Sequence, residues 1–183
     1  MSRLIEEFDT YKKIRLIKMV RKANAGDTAY ISEVYCMSWK EGYRGIISEK
    51  YLNSLTPEIM TARGFDPSDY LVYETDGRVV GLVNFGKSRD CTAVNTGEIR
   101  ALCVLPEYWR GGIGSELFKA ACDELCKNGY EVFYLLTLED NVRARRFYEK
   151  MGMTLIPEKK RITISGNEYT EVKYEFIFEK ESK

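Results

Sequence analysis

The sequence predicts a mixed α/β fold within one domain spanning residues 1–183, and three observations carry that prediction. β-rich runs recur with amphipathic helical stretches between them, in the order β-α-α-β-β-β-α-β-α-β-β. Asp76-Gly77 joins two of the runs across a two-residue type I′ hairpin signal, so part of the sheet is antiparallel. Residues 132–138, Val-Phe-Tyr-Leu-Leu-Thr-Leu, are almost continuously apolar, as a central strand covered on both faces requires.

The elements follow in order. Residues 14–20 alternate apolar and basic and read as a first strand. Asp27 is placed to cap a first helix whose inner face carries Ile31, Val34, Tyr35 and Ser38 and which ends near Gly42. A second helical stretch over 49–62 is divided at Pro57, with a new start at Thr56. Runs 70–75 and 78–86 flank the hairpin, 87–96 is a polar loop, and 97–105 is a fourth strand. Helix 112–128 presents Ile113, Leu117, Ala121 and Leu125, widened by Phe118 and Cys122, and stops at Asn128-Gly129. Helix 141–151, capped by Asp140, carries Ala144, Phe147, Tyr148 and Met151 and ends at Gly152. A last antiparallel pair, 161–165 and 169–178, is joined across Gly166-Asn167, with Lys159-Lys160-Arg161 as a solvated turn before it.

Composition narrows the function. Twenty-eight Lys and Arg balance twenty-eight Asp and Glu, which gives no overall field toward nucleic acid or an anionic membrane. No apolar run approaches the length of a membrane span and no signal-peptide core is visible, so the expected location is the cytoplasm. The five cysteines form no CxxC pair and read as reduced thiols. Histidine is absent, which removes triads built on it and zinc sites of the usual kind; no metal is expected.

Residues 98–118 combine an apolar strand, a proline turn, a glycine-rich loop and a helix start. Gly111, Gly112 and Gly114 let main-chain N–H groups approach a ligand, and the helix dipole adds positive potential, which together favour a diphosphate. No Gly-Lys-Ser/Thr follows, so this is not a nucleotide P-loop, and Leu117 replaces the third glycine of a dinucleotide fingerprint.

One strand later stands Asn141-x-x-Ala144-x-x-Phe147-Tyr148-Glu149-Lys150-Met151-Gly152. This stretch resembles the fourth-helix motif of the GNAT superfamily of acyl-CoA-dependent N-acetyltransferases, and the strand and loop at 98–118 resemble its acetyl-CoA motif. Ser38–Ile47 is similar to the first-helix region of one set of small bacterial members. One departure stands out: Trp109 occupies the position where that loop usually has Gln or Arg.

The resemblance implies a mostly antiparallel sheet with helices on both faces and a splay between the fourth and fifth strands, into which the pantetheine arm of acetyl-CoA inserts. It places that arm on Leu102, Cys103 and Val104, with the Val104 amide facing the thioester oxygen, and the diphosphate on Arg110, Gly111, Gly112, Ile113, Gly114 and Ser115. Asn141 is expected to bond the pantetheine arm, Tyr148 to protonate the departing thiolate, and Glu98 to accept the amine's proton once its pKa is raised. Trp39 and Tyr43 are candidate acceptor contacts, and one of Arg143, Arg145 and Arg146 is a candidate for the adenosine end. The reading is direct transfer of acetyl to a small-molecule or peptide amine without a covalent enzyme intermediate; a non-catalytic acyl-CoA-binding regulatory module is the rival. Tyr174, Phe176 and Phe178 share a strand face that is a candidate homodimer surface.

Overall fold

The computed structural model describes residues 18–178. Seven strands form one sheet in the order β1-β2-β3-β4-β5-β7-β6: β1 (Lys18–Lys22), β2 (Tyr70–Thr75), β3 (Arg78–Lys87), β4 (Thr96–Val104), β5 (Val132–Leu138), β6 (Thr154–Ile164) and β7 (Asn167–Ile177). All neighbours are antiparallel except β4 and β5. The helices are α1 (Thr28–Gly42), α2 (Glu49–Ser54), α3 (Pro57–Ala62), α4 (Ile113–Lys127) and α5 (Val142–Lys150). Asp76 and Gly77 have φ of 54° and 73°, as the type I′ turn demands. Thr56 caps α3 through Ile59 N–H, with Pro57 at its first position.

Side-chain alternation assigns the helices to opposite faces. A Cβ on Gly81 would sit 3.0 Å from Leu117, and one on Gly97 2.7 Å from Leu125, so α4 lies directly on β3 and β4 there. Phe133, the partner of Gly97, joins Phe118, Phe176 and Phe178 in one aromatic cluster, and Phe147 of α5 meets Phe118 edge-on. The other face packs against α1, where Tyr35 meets Tyr70 and Phe65. Burying a ring such as Phe133 contributes on the order of 3 kcal/mol before entropy is counted. A second, smaller core of Cys36, Ile47, Leu52, Leu55, Met60 and Leu138 holds α2 and α3 against the end of α1.

The parallel β4–β5 pairing holds only for Thr96/Val132, Gly97/Phe133 and Glu98/Tyr134. Beyond Glu98 the strands part. A register shift in the β3–β4 ladder between Asn84 and Phe85 lies opposite Ile99–Ala101, so β4 bends where the opening starts.

Four local expectations are corrected. Asp27 makes no side-chain cap on α1; its carboxylate accepts from Asn24 N–H and forks onto Arg21. Asn141, not Asp140, caps α5, accepting from Ala144 N–H at 3.2 Å. The last hairpin begins at Thr154, so Lys159-Lys160-Arg161 belongs to β6, and its turn is Ser165-Gly166, both at positive φ. β6 is the sheet edge, where Pro157 and a register shift between Ile156 and Lys159 are tolerated. Tyr174 of the candidate dimer face is core, fully buried, while Phe176 and Phe178 are half-buried against Phe133.

Candidate active site

The opening exposes the main chain of alternate β4 residues. Leu105 N–H donates to Val80 O at 2.9 Å. Bonded pairs alternate along an antiparallel ladder, so Cys103 exchanges its bonds with Leu82 and Ala101 with Asn84. Leu102 and Val104 therefore turn their N–H and C=O groups toward the gap. Cys103 does not: its main chain belongs to the sheet and its thiol points to the α1 face, where burial pushes its pKa up to about 12.

Trp109 and Ser38 close one of these groups. The indole Nε1–H donates to Val104 O at 2.6 Å and Ser38 Oγ donates to the same oxygen at 2.9 Å. Arg143 lies over the indole, its Cζ 3.8 Å from the ring centroid, and reaches Gly42 O at 3.4 Å. One tryptophan thus joins the end of β4, the glycine loop, α5 and the C-terminus of α1. Trp109→Phe keeps the ring under Arg143 and removes the indole donor, so thermal denaturation should show a loss of about 1 kcal/mol, a fall of roughly 2–4 °C.

At the far end of the gap lies the glycine loop before α4. Gly111 N–H is taken by Tyr108 O, and Ser115 and Glu116 N–H by Gly112 O. Among the described residues the N–H groups of Gly112, Ile113 and Gly114 have no backbone acceptor, as the first turn of a helix leaves them. Gly112 has φ +88°, which glycine alone adopts without strain. Arg110 takes φ +63° as a non-glycine residue, exposed in this loop. Ser115 keeps only its hydroxyl for a ligand. Arg145 is held by Tyr174 Oη and Glu139 O; Arg143 and Arg146 are both exposed, and Arg143 is engaged with Trp109 and Gly42 O.

Tyr148 projects from α5 between Phe147 and Tyr174. Burial, with Tyr43 and Cys103 adding to it, raises its phenol pKa well above the usual value, so the hydroxyl stays protonated. Tyr43 is raised likewise by burial, and its hydroxyl neighbours the Asn141 amide. Tyr43 and Asn141 therefore meet near Tyr148. Trp39 packs edge-on to Tyr43 at 5.0 Å and belongs to the smaller core.

Glu98 is 1% exposed. Its carboxylate accepts from Arg89 N–H and Nε at 3.0 Å and from Nη2 at 2.5 Å. Burial alone would raise its pKa, but the hydrogen bonds and charge of Arg89 outweigh that and lower it. The rise that a base role at Glu98 requires does not occur in this geometry. Glu171 on β7, which the sequence did not single out, behaves oppositely: burial raises its pKa, Lys160 and Arg89 oppose the rise, and Glu98 adds to it.

The family model described as Acetyltransferase (GNAT) family matches residues 31–153. The chain belongs to the GNAT acetyltransferase family. It is an acyltransferase that uses acetyl-CoA as its donor. An uncharacterized N-acetyltransferase of Archaeoglobus fulgidus is 31% identical over 142 residues, 73% of this chain and 91% of its own length. Mycothiol acetyltransferase of Acidimicrobium ferrooxidans is 32% identical over 98 residues, 54% of this chain, and the chain spans only 32% of that relative. The PaiA N-acetyltransferase of Thermoplasma acidophilum, solved in complex with coenzyme A, shares the fold at a TM-score of 0.68 and 24% identity, over 89% of this chain and 100% of that one. YncA of Salmonella typhimurium, a putative acetyltransferase solved with acetyl-CoA, gives 0.67 at 20%, covering 91% and 96%. In this GNAT protein no described helix is long and apolar enough to cross a membrane.

Proposed function

We propose that this acetyltransferase passes acetyl directly from acetyl-CoA to a primary amine while both are bound. The observation that carries the reading is the opened β4–β5 seam, with the glycine cradle at one end and the Tyr148 hydroxyl beside the other. The donor's diphosphate fits the N–H groups of Gly112, Ile113 and Gly114, with Arg110 supplying charge, and its arm fits the gap. An arm entering from the loop passes Val104 before Leu102, and two extended residues span roughly 7 Å. The Leu102 amide therefore lies nearer the thioester and is the better-placed oxyanion donor, while Val104 N–H meets an amide carbonyl of the arm. Val104 O, already bonded twice, takes no part.

Asn141 spends its carbonyl on the α5 cap, which leaves its NH₂ for the donor arm or Tyr43. Tyr43 is the acceptor contact favoured here, with Trp39 behind it. Cys103, buried and protonated, offers no thiolate, consistent with transfer without an enzyme-bound acetyl group.

Release of free CoA thiol from acetyl-CoA, measured with spermidine, a lysine peptide, an alanine-initiated peptide and an aminoglycoside, tests the reading. The expected result is thiol release that depends on one of these amines. Acetyl-CoA that raises the melting temperature but yields no amine-dependent thiol would identify a non-catalytic binding module instead.

A further inference from the structure

We propose that Glu171, on β7, is the group that holds the acceptor's ammonium and takes its proton, an assignment that rests on the acyl-transfer reading above. Register puts it on the acceptor side. Glu98 is beside Tyr134, Tyr134 pairs with Glu175, and Glu171 shares the strand face of Glu175, so Glu98 and Glu171 face the same side of the sheet as α1. Glu171 lies opposite Leu138, which belongs to the core beneath α2, and next to Lys160 of β6. Tyr43, at the end of α1 on this same side, is among the groups that feel its charge.

Two carboxylates thus face the acceptor side, and they differ in what holds them. Glu98 is closed by a fork from Arg89 and a main-chain N–H. Glu171 is half-buried, and among the described residues its side chain has no hydrogen bond or ion pair. The groups facing it are Lys160 from β6, Arg89 from the loop after β3, Glu98 from β4 and Tyr43 at the end of α1. Burial, helped by Glu98 and opposed by Lys160 and Arg89, raises its proton affinity above that of a free glutamate, the direction a proton acceptor requires. A half-buried carboxylate with no hydrogen bond of its own can accept one from an ammonium group.

The step balances. An ammonium proton passes to the Glu171 carboxylate, and the freed lone pair forms the N–C bond to the thioester carbon. The tetrahedral intermediate then breaks its C–S bond, and the sulfur gains the nitrogen's remaining excess proton with the Tyr148 hydroxyl beside it. Amide and CoA thiol leave, and Glu171 returns its proton to solvent.

The test uses the full chain, the best-turned-over amine of the panel, and acetyl-CoA affinity by calorimetry. Glu171→Gln should lower kcat at pH 7 by roughly 10²–10⁴-fold with the acetyl-CoA Kd unchanged, and part of the loss should return as pH rises and the amine deprotonates by itself. Glu171→Asp should fall between the two. A Glu171→Gln enzyme within threefold of the active wild type would overturn the assignment while leaving acyl transfer intact. A wild type that releases no thiol with any amine would overturn both.

Discussion

Tyr148→Phe is expected to lower kcat by roughly 10²–10⁴-fold while leaving the KM for acetyl-CoA nearly unchanged. The aromatic body of Tyr148 is held by Phe147 and Tyr174, and phenylalanine fills the same space, so packing survives. What disappears is one hydroxyl, kept protonated by burial and the neighbouring Tyr43 and Cys103. A thiol with a pKa near 8.5 is a stronger acid than this phenol, so complete transfer to the departing sulfur is uphill. On the proposed mechanism the hydroxyl would act chiefly by donating a hydrogen bond to the sulfur as negative charge develops there, an interaction absent from the ground state. Loss of such a bond appears in kcat and not in donor binding. Steady-state kinetics over acetyl-CoA concentration checks it; a KM that rises with kcat unchanged would assign Tyr148 to binding alone.

Arg89→Ala should remove about 2 kcal/mol of stability at pH 7, lowering the melting temperature by roughly 4–8 °C. This loss is smaller than the usual cost of breaking a buried pair because the Arg89 side chain is 65% exposed and water screens it. Its partner is 1% exposed and cannot be rehydrated without opening the sheet beside the β4–β5 rungs. The pH dependence carries the sign. With Arg89 present the folded pKa of Glu98 lies below its unfolded value, so the stabilisation is complete above about pH 4.5 and is lost as pH falls through the folded pKa. Without Arg89, burial raises the folded pKa, and acidification relieves the variant. Melting curves of the two proteins should converge once pH falls below the depressed folded pKa of Glu98, and a difference that persists there would show that Arg89 stabilises by packing.

Most of the fold was legible because its signals are local. Asp76-Gly77, Gly152 and the stripe Ile113-Leu117-Ala121-Leu125 each determine geometry within a few residues. The start of β6 is not legible because three consecutive basic residues, Lys159-Lys160-Arg161, suggest a solvated turn, yet an unpaired edge strand accommodates them. The cofactor cradle was legible for the same local reason, since its N–H groups come from consecutive residues. Trp109 and Glu171 were not. The indole acts on a carbonyl five residues back together with a serine on α1, and Glu171 takes its environment from β4, β6, α1 and the loop after β3. Only the folded register brings those groups together.

The three-rung parallel junction also makes the sheet two panels, β1–β4 and β5–β7, joined by little main-chain bonding. Leu102 and Val104 therefore form an edge in the interior of the sheet rather than at its rim. Proteins blunt exposed edges with charge, proline or covering loops, but any such device here would obstruct the donor. The indole blunts the Val104 carbonyl, and acetyl-CoA placed as proposed would cover the rest. On the proposed placement the cofactor would be a removable eighth strand, and the protein would be most open to mispairing with another chain when its donor runs low.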